Sequence, residues 1–381
     1  MPTKRRILIA CDSSRSLLDF RGKLIEALVQ SNDVAVFTPL IEQAQVRAKL
    51  DSLGVTVFEN GLNGSNVSIL SDLKYIVHLY RVISKYKPDV FFPYTLKPVI
   101  YGTLVANFSN ISLVTPMLTG LGYNFSDGGS GNTLVKRITH TLLKVSLSSR
   151  KKLKLILQNS DDYQTLLNHK IINSKSEAFV VNGSGVDLSH YDYSVPDAKN
   201  ISFLMVSRLI NAKGVNEYYE AAKAIRAKFP EVKFRLIGAY DDNIDAIDKE
   251  LYEKIKSGDV IEYSGHVNDV RACIKQASII VLPSYYGEGV PRCILEAMAM
   301  GRPVITSNSV GCKETVNIHP NHVNGFLVPV KNVQALASKM EYFIKNTADI
   351  VEFGLRGRNY AKEKFDVYKV NHQMLNIMEL Q

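Results

Sequence analysis

The stretch Leu282-Pro283-Ser284-Tyr285-Tyr286-Gly287-Glu288-Gly289-Val290-Pro291-Arg292-Cys293-Ile294-Leu295-Glu296-Ala297-Met298-Ala299-Met300-Gly301-Arg302-Pro303-Val304-Ile305-Thr306-Ser307 decides the fold. It begins at the end of a strand-length apolar run, 279–282, and passes through a glycine-containing loop. Pro291 suits the first turn of a helix. That helix gives way at Gly301 to a second apolar run, 303–306. Strand, glycine loop, helix and strand form the repeating unit of an open parallel sheet, whose ligands bind beyond the carboxyl ends of the strands. Helix-start amides, here those of Gly289 and Val290, suit an anionic or hydroxyl-rich ligand. Glu288 sits in the loop and Glu296 lies about one and a half turns into the helix. Both could accept hydrogen bonds from sugar hydroxyls; the alternative for Glu296 is a solvated helix position.

The same texture fills the rest of the chain. Short runs rich in Val, Ile, Leu and Phe read as strands at Arg6–Ala10, 33–38, 55–59, 90–92, 113–116, 155–158 and 178–182. A second set follows at 201–206, Lys233–Ile237, 260–263, Ile279–Leu282 and 303–306, with helix-period stretches such as 21–30, 72–86 and 215–228 between them. Alternation of this kind predicts an α/β chain of parallel, doubly wound sheets with right-handed crossovers. Length favours two domains. The best hinge is Gly183-Ser184-Gly185-Val186-Asp187, which places an N-terminal domain at 1–187 and a C-terminal domain at 188–362. Residues 363–381 are expected as a C-terminal helix packing back on the N-terminal domain. Two such domains facing each other would set the site in the cleft between them.

Charge is distributed unevenly. Residues 1–187 carry 22 Lys and Arg against 14 Asp and Glu, or +8, while residues 188–381 carry 24 against 23, or +1. The basic half is expected to face something anionic. Nucleic acid is excluded as a partner, because no recognition motif accompanies the charge. A membrane surface or a phosphorylated acceptor fits better. The segment 136–157 holds seven Lys or Arg and no acid, with Leu134, Ile138, Leu142 and Val145 at helical spacing. It reads either as a basic amphipathic helix on an anionic membrane or as a core-packed helix with a solvated face. The start of the chain is too short in apolar residues for a signal-peptide core. The expected place is therefore the cytoplasm, peripheral on the inner face of the cell membrane. Cys11, Cys273, Cys293 and Cys312 show no metal-ligand spacing, and no metal or cofactor is expected.

A second constellation follows the run 201–206: Ser207-Arg208-Leu209-Ile210-Asn211-Ala212-Lys213-Gly214. Two cations in a loop past a strand end could clamp a diphosphate, Arg208 by bidentate pairing and Lys213 as a point charge. With Glu288-Gly289-x-Pro291, Glu296-Ala297 and Gly301-x-Pro303-Val304, this pattern resembles the retaining GT4-type glycosyltransferases of the GT-B fold, whose E-x7-E motif Glu288 and Glu296 match. The resemblance covers nearly the whole chain. It extends to the bacterial branch that builds lipid-linked oligosaccharides and surface polysaccharides through Thr119-Gly120-Leu121-Gly122, Gln158-Asn159, the hinge, Leu282-Pro283-Ser284-Tyr285 and Gly311-Cys312.

The resemblance implies two Rossmann-like domains, an acceptor-binding N-terminal one and a nucleotide-sugar-binding C-terminal one. It implies transfer of a hexose or N-acetylhexosamine from a UDP-sugar to a lipid-linked or saccharide acceptor. Arg208 and Lys213 would hold the donor diphosphate, Glu288 the sugar or its neighbouring phosphate, and Glu296 the ribose. Gly289, Val290 and Pro291 would line the sugar pocket, and Gly265, His266 and Val267 the base pocket. Arg208, Lys213 and Glu288 form the expected catalytic set. On the acceptor side stand Arg21, Thr119 and Gly120. The first loop, Cys11 to Ser16, lacks the glycine pair of many family members, so its Ser and Arg side chains would meet phosphate or acceptor instead, or simply shape the loop. Asp241-Asp242 reads as a polar loop, since the spacing of a metal-binding D-x-D is absent. The alternatives are a non-hydrolysing UDP-sugar epimerase of the same fold and a catalytically silent scaffold in a polysaccharide assembly complex.

Overall fold

The computed structural model describes residues 4–62, 69–122, 125, 133–148, 152–240 and 245–380. The chain forms two compact units, one of residues 1–184 with 368–381 and the other of residues 185–367.

In the first unit, strands β1 (Arg6–Ala10), β2 (Asp33–Pro39), β3 (Thr56–Asn60), β4 (Val90–Pro93) and β5 (Leu113–Val114) form a parallel sheet in the order β3-β2-β1-β4-β5. Strands β6 (Met117–Leu118), β7 (Leu155–Leu157) and β8 (Ala178–Val180) form a smaller parallel sheet, joined to the first by the bridges Tyr94–Met117 and Val114–Leu153. Alternation along β1 shows why the strand sits in the middle. Ile7 and Ile9 enter one core with Leu24, Ile25 and Leu28 of helix Gly22–Leu28, and Leu8 and Ala10 enter another with Tyr75 and Leu79 of helix Ile69–Tyr86. A strand covered on both faces must be apolar at every position. Helix Val367–Ile377 supplies Val370, Met374 and Ile377 to the first of these cores.

In the second unit, β9 (Ser202–Val206), β10 (Lys233–Ile237), β11 (Glu262–Tyr263), β12 (Ile279–Leu282), β13 (Val304–Ser307) and β14 (Gly325–Val328) are parallel in the order β11-β10-β9-β12-β13-β14. Arg302 is fully buried and donates to the carbonyls of Ile274, Ala277, Ser194, Met300 and Lys275, so its charge ties the entry to β13 to its surroundings.

Two details depart from expectation. The run 113–116 is not one strand: Pro116 lacks an N–H, and pairing stops at Val114 and resumes at Met117. Strand β14 has no counterpart in the expected set, because it opens on a glycine beside polar residues and is specified by its pairing with β13. The four thiols are free, Cys11 and Cys312 buried and the others half-buried.

Candidate active site

In the sheet of the second unit the strand order reverses between β9 and β12, and crossovers leave on opposite sides. That is the switch point at which open α/β sheets bind ligands. The loop carrying Arg208 and Lys213 follows β9, and the loop carrying Glu288 follows β12. Both expected constellations therefore flank one crevice within a single sheet.

The two loops are stitched together by backbone. The amides of Tyr285 and Tyr286 donate to the Ala212 carbonyl at 2.8 and 3.0 Å. Gly214 permits the approach: at φ +77° it is left-handed, and a Cβ there would lie 2.3 Å from the Pro283 carbonyl oxygen. Gly311 does the same on the far side, where a Cβ would meet the Gly289 carbonyl oxygen at 2.3 Å.

Lys213 closes a short 3-10 turn, Asn211–Lys213, and its ammonium is ion-paired with Glu288 Oε1. Ser284 Oγ lies 3.0 Å from the same carboxylate oxygen, and the Tyr286 ring centroid is 5.3 Å from Lys213 Nζ. Burial works against the charge on Lys213, but the adjacent Glu288 carboxylate outweighs it and holds the ammonium above the ordinary lysine value. Lys213 is thus a fixed, permanently charged group. Arg208, on the same loop, is exposed.

Glu296 occupies helix Arg292–Ala299 and is buried. Its Oε1 accepts from Arg292 Nε and from Tyr191 OH, each at 2.7 Å. Burial and the Glu296 charge hold the Tyr191 phenol well above its usual range, so it stays a donor. Glu288 and Glu296 accordingly have separate sets of partners. Pro291 is the N-cap residue at φ −68°, one position earlier than the first turn. Val290 packs into the core, which leaves its backbone rather than its side chain to line a pocket. Gly265, His266 and Val267 follow β11, two strands from β9; Gly265 accepts from the Gly238 amide at 2.8 Å, and His266 is exposed.

The first unit has its own reversal, between β1 and β4. The loop after β1 brings Ser16 Oγ to 2.7 Å from Tyr94 OH. Asp12, in that loop, has its carboxyl pushed up by burial. Thr95 caps helix Leu96–Ala106 at φ +71° and ψ 162°, a region that β-branched residues rarely enter and that clusters at functional sites. Arg21 is not a surface cation: it is buried, donates to Met117 Sδ at 3.0 Å and lies 5.4 Å from the Tyr94 ring centroid. Thr119 and Gly120 follow β6 directly.

The basic segment 136–157 divides. In helix Thr133–Leu147, Leu143 and Ser146 face inward, while Leu134, Ile138 and Val145 are exposed beside Arg137 and Lys144. Three of the four stripe residues therefore lie outside the core, while Leu142 is half-buried and packs against it. Lys152 and Lys154 are ion-paired with Glu379 at 2.5 and 2.9 Å. Arg150 and Lys151 lie outside the described residues, as do Asp241 and Asp242.

Sequence reading passed over Ser284, Tyr286, Arg292 and Tyr191. Arg292 could have been found, since it stands four residues before Glu296 on a helix. Tyr191 is 105 residues away from Glu296, and no local pattern joins them.

Comparison with known proteins fits this geometry. Residues 200–346 match the family described as Glycosyl transferases group 1. The chain is 26% identical over 355 residues, 90% of each chain, to an N,N'-diacetylbacillosaminyl-diphospho-undecaprenol alpha-1,3-N-acetylgalactosaminyltransferase of Campylobacter jejuni. It is 24% identical over 72% of its length, and 71% of the relative's, to a UDP-Gal:alpha-D-GlcNAc-diphosphoundecaprenol alpha-1,3-galactosyltransferase of Escherichia coli. HepE of Anabaena, solved in complex with UDP-glucose, superposes with a TM-score of 0.75 over 99% of this chain and 100% of that one at 19% identity, a likeness that establishes the fold. The class is α/β with the GT-B fold. The chain carries a group 1 glycosyltransferase domain and is a glycosyltransferase.

Proposed function

We propose that the chain is a retaining glycosyltransferase that moves a hexose or N-acetylhexosamine from a UDP-sugar to a lipid-linked or saccharide acceptor in bacterial glycan synthesis. The observation that carries this reading is the charged Lys213, fixed against Glu288 at the switch point with Arg208 on the same loop. Acceptor class is supported by the relatives from Campylobacter and Escherichia, both named for diphospho-undecaprenol substrates. The donor is supported by the UDP-glucose bound to HepE.

In this reading the diphosphate lies across the loop after β9. As the bond from the anomeric carbon to the phosphate oxygen breaks, negative charge grows on the diphosphate. Lys213 and Arg208 stabilise it without reorganising, because Lys213 is already in place. Glu288 holds Lys213 and meets the sugar or its phosphate. Glu296, with Oε1 fixed by Arg292 and Tyr191, offers its other oxygen to the ribose hydroxyls. The acceptor hydroxyl gives its proton to the departing phosphate oxygen on the same face, and configuration is retained. The first unit binds the acceptor, the second the donor. Residues 136–157 meet an anionic membrane at the cytoplasmic side. Among the described residues no helix is long and apolar enough to cross a membrane.

The test is a screen of UDP- and GDP-sugars against lipid-diphosphate acceptors, read by mass spectrometry with the anomeric configuration of the product assigned by NMR. Acceptor-dependent UDP release with an α-linked product is expected from an α-linked donor. Acceptor-independent conversion of a UDP-sugar to its epimer, with no net release of UDP, would favour the epimerase, and no turnover with any donor would favour the scaffold.

A further inference from the structure

Two histidines meet on one turn of the second unit, away from the crevice. The stretch Asn317-Ile318-His319-Pro320-Asn321-His322-Val323-Asn324 lies between β13 and β14 and turns through the 3-10 helix Pro320–His322. Such a helix has three residues per turn, so side chains at i and i+3 stand one above the other. His319, at its N-cap, and His322, at its end, are spaced in that way. Their ring centroids are 5.4 Å apart, with the planes tilted by 49°. Both residues are exposed. Among the described residues neither imidazole has a hydrogen-bond or ion-pair partner, so no protein group competes for the ring nitrogens.

The turn beneath the rings is fixed. The His322 amide donates to the His319 carbonyl at 2.8 Å, and Pro320 sets φ at the first position of the turn. The His319 amide donates to Asn317 Oδ1 at 3.0 Å, and the Asn317 amide donates to Asn324 Oδ1 at 2.7 Å. Asn324 is fully buried, and its Nδ2 donates to the Thr315 carbonyl at 3.0 Å. One buried amide therefore anchors the segment at both ends. Only side-chain rotamers remain to be ordered when the two rings meet a common ligand.

The donors define the ligand. Imidazole suits Zn²⁺, Ni²⁺ or Cu²⁺, whereas Mg²⁺ and Ca²⁺ take oxygen ligands. An ion about 2.1 Å from a ring nitrogen is about 3.2 Å from the ring centre, so two imidazoles on one tetrahedral ion have centres about 5.2 Å apart. The observed 5.4 Å is close to that separation. Another pair, His140 and His169, has centroids 4.9 Å apart, but Phe125 stacks on His140 at 4.2 Å and stands edge-on to His169 at 5.7 Å. Aromatic packing accounts for that cluster. We infer that His319 and His322 chelate a divalent transition-metal ion of the Zn²⁺ or Ni²⁺ type, with water in the remaining positions. Among the described residues no third His, Cys, Asp or Glu completes a larger set, so the ion stays in contact with solvent. Strand β14 starts at Gly325 opposite Val304, the first residue of β13. The turn therefore lies at the amino ends of the strands, and the crevice at their carboxyl ends. The site stands apart from sugar transfer, and either assignment can fail without the other.

The test is titration calorimetry of the full-length chain, without an affinity tag, against Zn²⁺ and Ni²⁺. Wild type should take up one ion per chain, and Mg²⁺ should give no binding. His319→Gln and His322→Gln should each weaken uptake by roughly tenfold or more, since even an outer partner of a metal ligand is worth that much. The double variant should lose it. His140→Gln with His169→Gln should bind as wild type does. Thermal unfolding without metal checks that each variant is folded. Crystals soaked in Zn²⁺ should show an anomalous peak about 2.1 Å from a nitrogen of each ring. No uptake by wild type, or wild-type affinity in the double variant, overturns the inference. So does an anomalous peak away from these rings, or loss of uptake in the His140 and His169 variant, which would assign the ion to the other pair.

Discussion

The two units place a reversal of strand order at the same point of a parallel sheet and equip it differently. In the second unit the crevice holds a fixed cation, a carboxylate that pins it and a second carboxylate pinned by two donors. In the first it holds the half-buried carboxyl of Asp12, the buried guanidinium of Arg21 against Tyr94, hydroxyls from Ser16 and Tyr94 and a strained Thr95. The second unit is nearly neutral in its sequence, and the first carries the basic surplus together with the exposed apolar helices. The fold thus supplies a location, and charge placement decides its use. Fixed positive charge suits a diphosphate leaving group, and neutral hydroxyl chemistry suits an acceptor delivered from a membrane.

The largest expected effect breaks the charged side of this contrast. Lys213→Ala should lose about 2–4 kcal/mol of transition-state stabilisation, roughly thirtyfold to a thousandfold in turnover, as removal of a preorganised charge partner does elsewhere. Turnover at saturating donor is the measurement, with thermal unfolding as control. Near-normal turnover would remove the diphosphate role. Because these cations do the work a divalent ion otherwise does, activity should persist in excess EDTA. Loss restored by Mg²⁺ or Mn²⁺ would bring Asp241 and Asp242 back as ligands.

Next comes Glu296, the carboxylate proposed to hold the donor ribose in ground and transition state alike. Glu296→Gln should raise donor KM about tenfold or more, since a hydrogen bond to a charged group is worth about 1.5–3 kcal/mol, and should change kcat less. Tyr191→Phe removes one donor to the same oxygen and should raise KM only a few-fold. Unchanged donor affinity of Glu296→Gln in titration calorimetry would end the ribose assignment.

The contrast also explains what could be read beforehand. Most of the crevice proposed for the donor lies in two contiguous stretches, Ser207 to Gly214 and Leu282 to Glu296, so a local pattern exposes it. The first unit's crevice is assembled from Asp12, Ser16, Tyr94 and Thr95, none adjacent to a motif, and nothing local to Arg21, expected on the acceptor side, reports that Met117 and Tyr94 will meet it. Strands buried on both faces, such as β1 and β12, announced themselves as apolar runs. Strand β14 did not, because its partner rather than its composition specifies it.

A smaller effect sharpens the comparison within the first unit. Asp162 is buried in the first turn of helix Ser160–Asn168, receives Asn159 Nδ2 at 3.0 Å and is pushed up to about 7, mainly by burial. The folded state therefore holds the proton more tightly than the unfolded chain, where the carboxyl titrates near 4. The associated stability is fully present below about pH 4 and is lost as pH rises through about 7. Between pH 5 and 8 the wild type should lose on the order of 1–2 kcal/mol more than Asp162→Asn in denaturant unfolding. Parallel pH profiles for the two proteins would show that the carboxyl is ionised throughout.

The smallest effect concerns how much of the basic surplus is available to a membrane. Glu379 is held down to about 2 by Lys152 and Lys154, so it remains ionised across the physiological range and occupies both cations. A lysine near an anionic surface contributes about 1 kcal/mol, within a Debye length of roughly 10 Å at 0.1 M salt. The pair with Glu379 withholds part of that from the cluster. Glu379→Gln should therefore strengthen low-salt binding to anionic vesicles a few-fold. Arg150→Gln, Lys151→Gln, Lys152→Gln and Lys154→Gln together should weaken the low-salt binding and leave donor affinity intact. If Glu379→Gln and the quadruple variant both bind as wild type does, this part of the cluster is a solvated face. Attachment would then rest on helix Thr133–Leu147, where Leu134, Ile138 and Val145 are exposed beside Arg137 and Lys144.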